Sequence, residues 1–124
     1  MTETQYTENS SSLGRIEVAP EVILTIARTI TLANEHVVKM GVPSSAGLFR
    51  RSIKREGVVV QYDDDKLVFD IYVHMNPYGN IREASRSLQS AIVEAMDNMV
   101  GIPVEAVHIH VEDVTYTEND LSTS

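Results

Sequence analysis

The chain has 124 residues, 43% of them apolar and 23% charged, with a formal net charge of −8; this suits one folded domain with one core and excludes fibrous repeats and wholesale disorder. The acidic balance opposes a general role on nucleic acid or on an anionic membrane surface, since both draw on dense positive charge. The lack of cysteine removes disulfides, thiolate metal sites and a cysteine nucleophile, and no apolar run approaches the ~20 residues that span a bilayer, so a cytoplasmic chain without direct transmembrane insertion is expected.

Residues 1–13 carry almost no aliphatic side chains and read as a disordered tail, as do residues 115–124, leaving 14–114 as a single domain. Arg15 to Ala19 alternates apolar and polar residues, which suits a short half-buried strand. Pro20 then favours a first helical turn and Glu21 complements the helix dipole. Val22, Ile26, Ile30, Ala33 and Val37 recur at helical spacing, with Ile23 and Ala27 widening the stripe, and Gly41 followed by Pro43 is the expected stop.

The segment from Ser44 to Gly57 reads as a loop, with Leu48, Phe49 and Ile53 able to support a short helical turn. Here the charge is locally reversed. Lys39, Arg50, Arg51, Lys54 and Arg55 face the single acid Glu56, making Arg50, Arg51, Lys54 and Arg55 the candidate electropositive contact for a partner.

Val58 to Tyr62 and Lys66 to Met75 are rich in β-branched and aromatic residues around Asp63-Asp64-Asp65, the pattern of a hairpin. In the second strand Leu67, Phe69, Ile71, Val73 and Met75 share one face, the expected core side, and Val68, Asp70, Tyr72 and His74 share the other. Tyr72 and Val68 are therefore expected to be exposed, and Tyr72 joins the candidate partner contacts. Asn80 and Glu83 match a capping box that opens a second helix with the stripe Ile81, Ala84, Leu88, Ile92, Ala95 and Met99, and with Ala91 and Met96 at its margins. Arg82, Glu83, Arg86, Gln89 and Glu94 face mostly outward, and Gly101 and Pro103 close the helix. A last strand, Val104 to Val114, sends Val107, Ile109 and Val111 inward and His108, His110 and Glu112 outward.

The expected fold is α+β in the order β-α-β-β-α-β, with two helices packed on one face of a three- to four-stranded sheet. If the last strand neighbours the hairpin, His74, His108 and His110 meet on its outer face near Asp70, Tyr72 and Glu112. Three imidazoles could hold a metal ion or titrate together as a pH sensor. Alternation by itself also accounts for each histidine as the outward partner of a core residue.

Other chemistry finds little support. The aspartates lack the spacing and central glycine of a calcium loop, Ser85, Ser87 and Ser90 sit in no nucleophile elbow, and no phosphate-binding glycine motif occurs. No catalytic residue and no cofactor are expected. An RNA-binding sheet would need exposed aromatics beside positive charge, whereas Tyr72 lies beside Asp70.

GRIEVAPEVILTIA from Gly14, Gly41-Val42, the run EGVVVQYDDDKLVFDIYVHMNPYGNIREASRSLQSAIVEAMDNMVGI and the closing VEAVHIHVEDV together resemble the alkaline shock protein family of bacterial envelope stress response proteins. The resemblance spans about Gly14 to Val114. It departs at Ala19, where the family often has a capping serine, at Asn76-Pro77, and through Ser44 to Arg55. It implies a non-catalytic cytoplasmic protein that gathers near the membrane through a separate membrane-anchored protein partner and supports envelope homeostasis; the expected role is an adaptor or scaffold whose copies associate as a homo-oligomer through sheet edges or outer faces. Some relatives look like regulators of a lipid-synthesis enzyme. The short first strand, as a sheet edge, is a candidate for pairing with another chain.

Overall fold

A computed structural model describes residues 6–8, 13–43 and 53–116. Tyr6–Glu8 (β1), within the stretch read as a tail, pairs antiparallel with Ile16–Val18 (β2), placing Tyr6 opposite Val18. This two-stranded ribbon stands apart from the main sheet. The strand expected near Ile16 therefore exists but is not a half-buried sheet member: Ile16 is exposed and only Val18 packs against the core.

Pro20 at the first turn and Glu21 beside it start α1, Pro20–Ala33. Its buried side is Ile23, Leu24, Ala27 and Thr31, rotated by one residue from the expected stripe, and Val22 is 45% exposed. The run Val22-Ile23-Leu24 offers apolar side chains in adjacent phases, so the surface beneath the helix selects among them. Thr31 is fully buried because its hydroxyl donates to the Ala27 carbonyl at 2.7 Å.

α1 ends well before Gly41. Asn34 accepts a hydrogen bond from the His36 N–H through its side chain (2.9 Å) and from the Val37 N–H through its carbonyl (3.0 Å). Such an Asx turn competes with helix continuation. The chain leaves as β3, Val37–Met40, so Val37 is a buried strand residue and not the last position of a helical stripe. Ile53–Arg55 (β4), in what was expected to be loop, pairs with Val58–Asp63 (β5), the first strand of the expected hairpin, to form a further hairpin. Its two-residue connection, Glu56-Gly57, holds φ of 44° and 88°, the left-handed geometry that suits the twist of paired strands. The helical turn anticipated around Leu48 and Phe49 lies outside the described residues.

β5 pairs across the aspartate turn with Lys66–Met75 (β6), the central strand. Leu67, Phe69, Ile71, Val73 and Met75 are all fully buried, as the alternation requires. Asn80 caps Ile81–Ala95 (α2) by accepting from the Glu83 N–H at 3.0 Å. Ala84, Leu88, Ile92 and Ala95 face the core.

A π-helical turn, Met96–Val100, follows and is closed by the Gly101 N–H on the Met96 carbonyl. The wider turn changes the phase. Met96 becomes fully buried and Met99, expected on the core stripe, is 65% exposed.

The final strand, Val104–Val114 (β7), runs parallel to β6. Among the described residues the main sheet thus has five strands: β4, β5, β6 and β7 in lateral order, with β3 pairing the C-terminal part of β6. The α+β class is as expected, and the chain order is β-β-α-β-β-β-β-α-β. The added strands are those whose local signals were a helix end, a loop and a tail.

Candidate functional site on the outer sheet face

β3 and β5 meet end to end along the same edge of β6. Gly41 donates its N–H to the Tyr72 carbonyl (2.6 Å), and the Tyr72 N–H donates to the Gly57 carbonyl (2.8 Å). Side chains are disfavoured at both glycines, at Gly41 by crowding and at Gly57 by crowding and by its φ of 88°. A Cβ on Gly41 would overlap the Glu112 carboxylate, and one on Gly57 would press on Met40 and the Gly41 carbonyl at 3.0 Å.

This junction lies under the outer face, where the parallel register sets Asp70 beside His108 and Tyr72 beside His110. The His110 ring reaches back along the strand, placing Nε2 2.8 Å from Asp70 Oδ1, and it stacks on Tyr72 with centroids 4.3 Å apart and planes 11° apart. Glu112 Oε1 accepts the Val42 N–H at 3.0 Å and stands 4.0 Å from His74 Nε2, while His74 Nδ1 lies 3.5 Å from the Thr115 hydroxyl. A shift of register between Val73 and His74 sets His74 opposite Asp113.

The expectation of an exposed Tyr72 is therefore corrected: its side chain is only 9% exposed, because the His110 ring covers it and the β3–β5 junction packs beside it. Burial, and then the negative charges of Asp70 and Glu112, push the Tyr72 hydroxyl above the ordinary tyrosine range. Val68 remains partly exposed.

His74, His108 and His110 do share one face. They are not brought to one point: His110 is held by Asp70, His74 lies near Glu112 and Thr115, and His108 is exposed. Among the described residues no three ligating side chains converge in a way that could hold a metal ion. The arrangement stiffens this part of the sheet, since the His110 ring is held between the Asp70 carboxylate and the Tyr72 ring.

Of the basic cluster, Arg50 and Arg51 lie outside the described residues. Lys54 is exposed on β4, and Arg55 faces Glu21 across 3.5 Å, tying β4 to the start of α1. Arg28 on α1 meets Glu56 at 2.6 Å, so the β4–β5 turn is held to α1 by charge on both sides.

Two contacts had no legible signal in the sequence. Glu112 caps a backbone N–H seventy positions away. Gln89, expected to face outward, donates to the Val107 carbonyl at 2.9 Å and joins α2 to β7.

Comparison with known proteins adds a family-level finding. The alkaline shock protein 23 family, described as having a cell envelope-related function, matches residues 8–116. An uncharacterized protein of Streptococcus pyogenes, Spy1535, is 28% identical over 103 residues, covering 82% of this chain and 80% of the relative. The uncharacterized Bacillus subtilis proteins YqhY and YloU are 28% and 22% identical, covering 84% and 89% of this chain and 79% and 96% of their own lengths. No solved structure matches the chain significantly.

Proposed function

The chain belongs to the alkaline shock protein 23 family, whose function is cell envelope-related, and on that premise we propose that it is a non-catalytic adaptor that self-associates and docks on a membrane-anchored protein. The observation that carries this reading is how the outer-face groups are used. Asp70 is engaged with His110, Glu112 with the Val42 N–H, and the Tyr72 ring with the His110 ring. Such contacts build a stiff surface for recognition, with the ionisable groups directed at each other and at backbone instead of at a common substrate position.

In this reading the chain works on the cytoplasmic side and reaches the membrane through its partner. No helix among the described residues is long and apolar enough to cross a membrane. The basic connection that includes Arg50, Arg51 and Lys54 is the proposed contact for an acidic surface on the anchored protein. Tyr72, being buried, supports that face from beneath and does not touch the partner.

Crosslinking in intact cells, followed by solubilisation and identification of the captured proteins, tests the proposal. The expected result is a protein with a membrane-spanning segment whose capture falls when Lys54 and Arg51 are replaced by glutamate. Capture of no membrane protein above an untagged control would overturn the reading.

A further inference from the structure

β6 is the only strand partner of β7 among the described residues. The opposite edge of an eleven-residue strand therefore carries backbone groups that no strand uses. Gln89 covers one of them, the Val107 carbonyl. On either side of that contact α2 and β7 border a shallow trough open to solvent. Towards one end it is lined by Arg82 and Arg86 beside Ile109 and Val111. Towards the other it is lined by Glu94 and Asp97 beside Ile102 and Val104.

The trough is thus polarised along its length. All four charged residues are exposed, and none has an ion-pair partner among the described residues. The other described arginines, Arg15, Arg28 and Arg55, each face a glutamate. Helix and strand are also matched in length. At ~1.5 Å per residue α2 and the start of the π-helical turn after it run about 22 Å from Arg82 to Asp97, and at ~3.3 Å per residue β7 runs about 23 Å from Val104 to Val111.

We propose that this trough is a self-complementary interface, in which two copies of the chain pair the outer edges of β7 antiparallel about a two-fold axis near Gln89, whose side chain gives up the Val107 carbonyl to the partner strand. The inference deepens, and rests on, the self-association in the proposed function. A two-fold axis reverses chain direction across the contact, so the basic end of each trough meets the acidic end of the other. Arg82 and Arg86 then face Asp97 and Glu94 of the partner subunit, and the same contacts recur on the other side of the axis. The two copies of α2 lie side by side over a sheet that continues through both molecules. Exposed Val93, on the trough wall at the acidic end, loses water in the process. A single-sign trough would call for a foreign partner of opposite charge; one that carries both signs at opposite ends is satisfied by its own copy.

Sedimentation velocity of the full chain, from low micromolar to near-millimolar concentration and at low and high salt, tests this with two charge-reversed variants. Arg82→Glu/Arg86→Glu makes the trough wholly acidic, and Glu94→Arg/Asp97→Arg makes it wholly basic. The expected result is a salt-sensitive dimer for the unmodified chain, dimerisation weakened by about tenfold or more in each variant alone, and recovery of the dimer on mixing the two variants in equal amounts. Recovery on mixing also shows that both variants are folded. An unmodified dimer indifferent to both reversals would overturn this interface while leaving self-association in place. A chain that stays monomeric throughout would overturn both.

Discussion

The Glu112 carboxylate accepts the backbone N–H of Val42 and occupies the space into which a side chain at Gly41 would project. One contact therefore joins the last strand to the end of β3, on the far side of β6. A methyl group at Gly41 would push aside the Glu112 carboxylate, the free end of a flexible side chain, and press on the Tyr72 backbone at 3.1 Å, so Gly41→Ala is expected to lower unfolding free energy by up to ~1 kcal/mol, the low end of the cost of overpacking. Urea denaturation checks the value. Adding Glu112→Ala should recover part of the loss, because it vacates the space that the new methyl group enters.

Tyr72 carries a pH dependence whose sign follows from its surroundings. Its folded hydroxyl titrates above the unfolded value near ~10, so the folded state holds its proton longer. The stability this contributes is fully present below about pH 10 and is lost as pH rises through the higher folded value. Denaturation midpoints should therefore fall on the alkaline side, and Tyr72→Phe should flatten that fall relative to its own value at pH 8.

Among the described residues the buried Tyr62 hydroxyl has no hydrogen-bond partner, and burial raises its pKa. Removing an unsatisfied buried hydroxyl relieves a desolvation cost, so Tyr62→Phe is expected to be neutral or to stabilise by up to ~1 kcal/mol. Thermal melts at neutral pH measure it. A clear destabilisation would mean that the hydroxyl finds a partner in solution.

Glu105 at the start of β7 hydrogen-bonds through its side chain to Asp63 at the hairpin tip, and this bond, then the charge of Asp63, raises its pKa. A raised carboxylate contributes stability at acidic pH that is lost as pH rises through its folded value. Glu105→Gln keeps a donor in place without the second charge. The variant should melt at a higher temperature than the unmodified chain at pH 7, with the difference shrinking towards pH 3.

Much of the architecture was legible in local patterns. The β5–β6 hairpin, the core face from Leu67 to Met75, the Asn80 cap and the extent of β7 all follow from period-two alternation, turn chemistry and capping, which act over a few residues. The α1 phase did not, because Val22, Ile23 and Leu24 are nearly interchangeable until a surface is supplied. Nor did β3, where an Asx turn at Asn34 and a vacant length of β6 outweigh helical spacing that continues to Val37. Family membership was visible in the ordered motifs, and the profile match extends it to residues 8–116.

The sequence by itself determined which residues face outward on β6 and β7, and so that His74, His108 and His110 would lie on one side of the sheet. Only the tertiary structure decided which neighbours they meet. Parallel pairing of β6 and β7 brings His110 to Asp70 and onto Tyr72, and a register shift after Val73 sends His74 towards Glu112 and Thr115. Side-chain direction is set by each strand's own pleat, whereas register is set by the crossover through α2, whose consequences no stretch of a few residues contains.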